Sequence, residues 1–143
     1  LPFGYGLGLL FLGGMVFAET PMPAHEVEVS EDVGATLHLE PNDRPRSGQN
    51  TLAWFALTQR GGQPIPLSDC NCELTVYAGS GTGQTVLQRP ALRAIAAEGR
   101  QGIPSATITF PQPGAYELVL EGTPRSRGNF APFELRFSVT VAR

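Results

Sequence analysis

Short runs of alternating apolar and polar residues, separated by glycine and proline, limit the fold of this chain more than any other feature. The clearest run begins at Val33 and places Ala35, Leu37 and Leu39 on one face before it ends at Pro41. A two-residue period of this kind predicts a half-buried β-strand. No candidate helix exceeds ten residues, so a sandwich or barrel of short strands is the economical way to bury the apolar faces.

Further strands are predicted after this first one. Residues 51–58 are apolar on both faces, as expected of a central strand, and we expect Trp54 in the core. Residues 91–98 are interpreted as a crossover loop with room for a helical turn. The other predicted strands are the run that carries Cys72, Leu74 and Val76 on one face, the short residues 85–87, and residues 105–110, 116–121 and 133–141.

These strands predict an all-β fold, an immunoglobulin-like antiparallel β-sandwich of about seven strands that occupies residues 33–143. Gly114 stands two residues before Tyr116 at the start of one strand. This spacing is like the tyrosine corner of immunoglobulin-like sheets, in which the phenol bonds back to nearby backbone. The sandwich is therefore favoured over the barrel.

The N-terminal part of the chain predicts export to the periplasm or the thylakoid lumen. Residues 1–18 carry no charge and contain an apolar run at residues 7–17, which has the length of the apolar region of a signal peptide. Cleavage is expected after Ala18, with Ala24 as the second choice. A retained membrane anchor is the alternative, because a segment of this length only just spans about 30 Å of hydrocarbon. Residues 19–32 are acidic and are interpreted as a tether or an edge strand.

The charge balance argues against nucleic acid as a partner. The chain has 13 acidic and 10 basic residues and a net charge of −3, whereas nucleic acid and anionic lipid are bound through broad basic faces. Arg44, Arg46, Arg125 and Arg127 lie in predicted loops and are interpreted as one basic patch for an acidic partner, with a solvated surface as the alternative. Catalysis needs a base or nucleophile held by a third group. The two histidines form no such motif, so the chain is not expected to be an enzyme.

Cys70 and Cys72 are the candidate residues for a metal site. Cysteines two apart in an extended segment point to the same side, so both thiolates can face one soft metal such as Cu(I), with His25 or His38 as a further ligand. The alternatives to this copper or zinc site are a local disulfide or thiol pair, pairing with another chain, and two inert thiols. A local disulfide requires a strained ring, because Cα atoms two apart in a strand lie at the far limit of disulfide geometry.

The two histidines also have separate interpretations. His38 alternates with Leu37 and Leu39 and is expected to be an exposed or half-exposed hydrogen-bonding side chain. His25 becomes the amino terminus if cleavage follows Ala24. An N-terminal histidine of this kind can bind Cu(II) through its amine, first amide and imidazole.

Several segments carry a resemblance to known exported proteins. Residues 107–120 (TITFPQPGAYELVL) and 61–66 (GGQPIP) resemble the immunoglobulin-like bacterial domains of the YtkA-like group, several of which lie near copper-handling genes. The Met- and His-rich copper-binding stretches of some YtkA-like domains are missing here. The segments that resemble small exported cyanobacterial proteins of unassigned activity are residues 25–29 (HEVEV), 37–43 (LHLEPND), 53–57 (AWFAL) and 69–72 (DCNC).

The predicted function is that of an exported, non-catalytic binding or accessory module that takes a protein partner or small ligand and needs no cofactor. One alternative is a periplasmic copper- or zinc-binding chaperone that uses the Cys70-Asn71-Cys72 segment. The other is an assembly factor that docks on a membrane complex through the arginine loops.

Overall fold

The computed structural model describes residues 26–125 and 129–143, which form two antiparallel sheets packed as a β-sandwich. One sheet has the strand order β1-β2-β3-β7-β6 and the other β5-β4-β8-β9. The predicted leader, His25 and Arg127 lie outside the described residues. The strands are β1 (Glu26–Ser30), β2 (Val33–Glu40), β3 (Asn50–Gln59), β4 (Cys70–Ala78), β5 (Thr85–Gln88), β6 (Arg93–Ala97), β7 (Arg100–Thr109), β8 (Gly114–Pro124) and β9 (Phe133–Val141), with single 3-10 turns at Leu67–Asp69 and Gly81–Gly83.

The predicted sandwich is confirmed, and its core lies between the inner faces of the two sheets. Burial alternates strictly along β2 and β9, as a two-residue period requires. Phe55 of β3 and Phe137 of β9 are fully buried, and their ring centroids are 5.5 Å apart. This contact joins the two sheets at the centre of the core.

The tyrosine corner is also confirmed at the start of β8. The hydroxyl of Tyr116 donates a hydrogen bond to the carbonyl oxygen of Gln112 at 2.6 Å and accepts one from the Gln112 backbone N–H at 3.2 Å. The Tyr116 ring meets Phe110 edge-on, with centroids 4.7 Å apart. These contacts fix the turn between β7 and β8.

Trp54 is buried as expected, with 4% of its surface exposed, but it lies on the outer face of its sheet. Its neighbours Ala53 and Phe55 belong to the core cluster and Trp54 does not. The His38 ring covers it from β2, with ring centroids 3.9 Å apart and planes at 11°. β3 is therefore apolar on both faces because its outer face is also covered, by His38 from β2.

The prediction that residues 91–98 form a crossover loop is wrong, because Arg93–Ala97 within them form the strand β6. β6 pairs with β7 through a two-residue turn, since Ala97 is the register partner of Arg100. The turn residues Glu98 and Gly99 have positive φ values of 50° and 74°, which is the conformation that closes tight hairpins. Pairing with β7 outweighs the helical tendency of the alanines, because a segment this short is marginal as a helix.

Glu26–Ser30, from the acidic segment, form β1 at the edge of the five-stranded sheet. A carboxylate oxygen of Glu26 accepts a hydrogen bond from the Ser138 backbone N–H at 3.1 Å, so β1 also contacts β9 of the other sheet. We call this junction the seam. It closes one side of the sandwich.

Candidate functional site

The connection between β2 and β3, residues 41–49, is long for a hairpin loop and is held by its own hydrogen bonds. The Asp43 backbone N–H donates to the Leu39 carbonyl at 2.6 Å, and the Leu39 N–H donates to the Asp43 carboxylate at 2.7 Å. Asn42 and Asp43 adopt positive φ values of 62° and 53°. Asn and Asp tolerate this conformation better than most residues, which explains why the chain turns here.

The second half of the loop is tied to two other segments. The Ser47 N–H donates to the Ala142 carbonyl at 2.8 Å, and the Ala142 N–H donates to the Pro45 carbonyl at 3.0 Å. The Gly48 N–H donates to the Phe110 carbonyl at 2.8 Å. We call this end of the sandwich, which carries residues 41–49, 110–113 and 142–143, the loop end. A loop tied at this many points has little ordering entropy left to lose when it binds a ligand.

A groove of about 380 Å³ opens on the surface of this loop, and we call it the Arg groove. Its described lining consists of Pro41, Asn42, Arg44, Arg46 and Gln49, and contains no carboxylate. Both arginines are exposed. Guanidinium groups bind carboxylates through paired hydrogen bonds, and the two amides add neutral donors and acceptors.

The prediction of one patch formed by the four loop arginines is wrong for Arg125. The Arg125 backbone N–H donates to the Asp69 carbonyl at 2.9 Å, and its Nε donates to the Asn71 amide oxygen at 2.8 Å. These residues lie where β8 ends and β4 begins, at the opposite end of the sandwich from the loop end. We call it the cysteine end. An antiparallel strand of this length separates Arg125 from Arg44 and Arg46 by the height of the sandwich.

Cys70 and Cys72 form a disulfide with each other, which is one of the alternatives that the sequence left open. The S–S distance is 1.96 Å and the Cα atoms are 5.2 Å apart, nearer than in a fully extended strand. As predicted, both sulfurs lie on one face of β4, the inner one. In this oxidised form neither residue offers the thiolate that binds a soft metal.

His38 lies far from the cysteines in the fold. It faces outward from the five-stranded sheet, whereas Cys70 and Cys72 face inward from the other sheet. In the part of the chain that the structure describes, no group of three or more His, Cys, Asp or Glu side chains is arranged to hold a metal ion. His25 lies outside that part, so metal binding by these four residues stays a prediction.

A second cavity of about 480 Å³ lies at the seam, and sequence reasoning missed it. Leu37, Leu39 and Val139 line its floor, and Glu26 lies at its rim. Burial raises the pKa of Glu26, the hydrogen bond from Ser138 lowers it, and repulsion from Glu28 raises it again. The available signal was the alternation of glutamate with Val27 and Val29 in β1, because inward-pointing charges protect edge strands from pairing with other chains.

The comparisons with known proteins support the fold. No protein-family model and no curated protein matches the chain. The chain is similar to the crystal structure of a DUF4426 family protein from Pseudomonas aeruginosa, with a TM-score of 0.53 and 12% sequence identity over 82% of this chain and 96% of that one. At this identity the likeness extends to the β-sandwich architecture alone. Within the described ranges, no helix is long and apolar enough to cross a membrane.

Proposed function

We propose that this chain is an exported, non-catalytic binding module that holds an acidic segment of a partner protein in the Arg groove. The observation that carries the proposal is the loop itself, whose backbone is hydrogen-bonded to Phe110 and Ala142 and whose exposed arginines are part of the lining of the groove. Because the loop backbone is already held, binding of a carboxylate has to order the arginine side chains and not the loop. Amide side chains from Asn42 and Gln49 are suited to the peptide groups of the bound segment.

The charge of the rest of the molecule favours a protein partner over a membrane or nucleic acid. The net charge is −3, so a broad polyanionic surface is repelled by most of the chain. On the outer face of the four-stranded sheet, Glu73, Glu121 and Glu134 are register partners in one row. A short acidic segment reaches the groove without approaching this row.

Export of the module is supported by two features of the chain. Residues 1–18 have the composition of a signal peptide or anchor, and disulfides such as Cys70–Cys72 persist in oxidising compartments. β1 enters the sandwich beside the loop end, since Glu26 lines one cavity with Asp43 and Pro45. A retained anchor would therefore bring the Arg groove close to the membrane, as docking on a membrane complex requires. Export is also what a resemblance of the sequence motifs to YtkA-like and small cyanobacterial exported proteins implies.

The test is the binding of a labelled decapeptide of glutamate, followed by fluorescence anisotropy at low ionic strength. Arg46→Gln is expected to weaken binding about tenfold to a hundredfold, because each hydrogen bond to a charged group contributes about 1.5–3 kcal/mol. Arg125→Gln removes the same charge at the cysteine end and is the matched control, expected to bind as the unchanged protein does. Equal loss in both variants, or tighter binding to phosphatidylglycerol vesicles than to the peptide, overturns the proposal.

A copper- or zinc-binding chaperone is the second candidate, and the adjacency of two sulfurs in β4 is the observation that favours it. The disulfide between Cys70 and Cys72 has to be reduced before both thiolates bind a metal. Metal analysis of the reduced protein tests this candidate. About one copper or zinc per chain, lost in Cys70→Ser, supports it, and a metal-free reduced protein counts against it.

A further inference from the structure

We propose that the Cys70–Cys72 disulfide is a thiol–disulfide exchange couple, which a dithiol opens by attack on the sulfur of Cys72. This inference is independent of the Arg groove, because the two cysteines lie at the opposite end of the sandwich. It concerns a reaction of the protein with a second dithiol, and it requires no metal.

The two cysteine residues differ in exposure to solvent. Cys70 is fully buried, with 0% of its surface exposed, whereas Cys72 is half-buried. β5 ends opposite Val76, where Gln88 is the register partner, so residues 70–75 of β4 have a neighbouring strand on the β8 side alone. Among the described residues, no strand pairs with β4 on the other side of Cys72, so we infer that a reagent reaches Cys72 from this side.

The fold does not depend on this bond for its connectivity. The two cysteines are separated by 2 positions, and the chain entropy that a disulfide removes is smallest for the shortest loops. Hydrogen-bonded pairing with β8 already holds the segment, with Pro124 opposite Cys70 and Gly122 opposite Cys72. Opening the bond therefore leaves the sandwich folded, which an exchange couple requires.

The sulfur of Cys70 lies in a tightly packed region beside Gly122 of β8 and Phe133 of β9. A Cβ atom at Gly122 would come 2.8 Å from the sulfur of Cys70, and closer still to the ring of Phe133. Two separate thiols occupy more room than a bonded pair, because non-bonded atoms stand apart by about 3.5–4 Å. The Phe133 ring lies near the same point beside Gly122, with its centroid 5.8 Å from that of Phe130, and we expect it to shift when the bond opens.

The exchange balances in two steps. The thiolate of the incoming dithiol attacks Sγ of Cys72, the Cys70–Cys72 bond breaks, and the electron pair leaves on Sγ of Cys70, which takes up a proton. The second thiolate of the dithiol then attacks its own partner sulfur, forms the reagent's disulfide and releases Cys72 as a thiol. The protein gains two electrons and two protons, and the dithiol loses them.

The test measures thiol formation in the folded protein with dithiothreitol as the dithiol. Samples are quenched with maleimide and counted by mass, while circular dichroism follows the sheet. We expect two thiols per chain to form at a rate within about tenfold of that in the urea-unfolded chain, with the sheet signal unchanged. Thiols that appear no faster than the folded chain unfolds overturn the proposal.

Single variants test which sulfur is attacked. Cys70→Ser leaves the half-buried Cys72, and Cys72→Ser leaves the buried Cys70, so the pair is matched in composition. We expect the thiol of Cys72 to react with maleimide at least about tenfold faster than that of Cys70. Equal rates, or a faster Cys70, contradict attack on Cys72, and the wild-type reduction kinetics still test the exchange itself if either variant fails to fold.

Discussion

Ser47 donates its backbone N–H to the carbonyl of Ala142 at 2.8 Å, and this bond ties the loop that carries Arg46 to the end of the chain. Ala142 returns a hydrogen bond to Pro45, and Arg46 and Ala142 form a parallel bridge. The last residues of the sequence are therefore part of the Arg groove's support. Their contribution is mechanical, since they restrict the loop and do not line the groove.

Ala142→Pro tests this support. Proline has no backbone N–H, so the bond to the Pro45 carbonyl is lost, and we expect faster hydrogen exchange at Ser47 and Gly48 and weaker binding of the glutamate peptide. Ala142→Gly keeps the donor and is the control, expected to change both quantities little. Unchanged exchange in Ala142→Pro would show that the loop holds its conformation without the C-terminus.

Trp54→Ala is expected to cost about 2–3 kcal/mol of unfolding free energy, the value for removing a large side chain from a covered surface. Phe55→Ala, one residue further along β3, removes a ring from the closed core and is expected to cost about 3–5 kcal/mol. Urea denaturation of both variants measures the difference. A larger loss for Trp54→Ala than for Phe55→Ala would contradict the assignment of Trp54 to the outer face.

Glu26→Gln is expected to stabilise the protein at pH 7. The pKa of Glu26 is raised above 4.5 by burial at the seam, so the folded chain binds this proton more tightly than the unfolded chain does. The resulting stability is fully present below about pH 4.5 and is lost as the pH rises through the folded pKa. Glutamine keeps the acceptor for Ser138 and carries no charge, so this pH dependence should disappear in thermal melts. The same pH dependence of the melting temperature in both proteins would show that the seam does not bury the carboxylate.

Replacement of both cysteines by alanine, which adds no hydroxyl at the buried Cys70 position, is expected to cost about 1.5 kcal/mol of unfolding free energy, the chain-entropy value for a three-residue loop. Urea titration of the variant and of the oxidised protein gives the difference. A loss of more than about 4 kcal/mol, the scale of a bond that closes a loop of a hundred residues, would mean that the disulfide holds the sandwich together.

The fold could be predicted from the sequence for those strands in which apolar and polar residues alternate. Ala35, Leu37 and Leu39 in β2 were correctly placed on one buried face, because their alternation is a property of the strand itself. β6 was missed because its alanines favour a helical turn, although the Glu98-Gly99 turn was a usable signal for a hairpin with β7. Trp54 was correctly predicted to be buried. The sequence could not tell that it is buried on the outer face of the sheet, because that burial depends on contact with His38 of the neighbouring strand.

The candidate site depended on long-range contacts that no spacing in the sequence encodes. Arg44 and Arg125 look equivalent in the sequence, since both lie in loops near proline. The antiparallel course of β8 puts them at opposite ends of the molecule. The partners of the loop, such as Ala142 and Phe110, are far from Ser47 and Gly48 in sequence, so the groove is visible in the folded chain alone.

Charge reversal of the Arg groove tests whether its arginines bind an acidic segment. The double variant Arg44→Glu and Arg46→Glu is titrated with decapeptides of glutamate and of lysine, and compared with the unchanged protein at low and high salt. We expect the variant to lose the glutamate peptide and to bind the lysine peptide, with both interactions weakened by salt. Retention of the glutamate peptide by the variant would show that the Arg groove does not bind acidic segments.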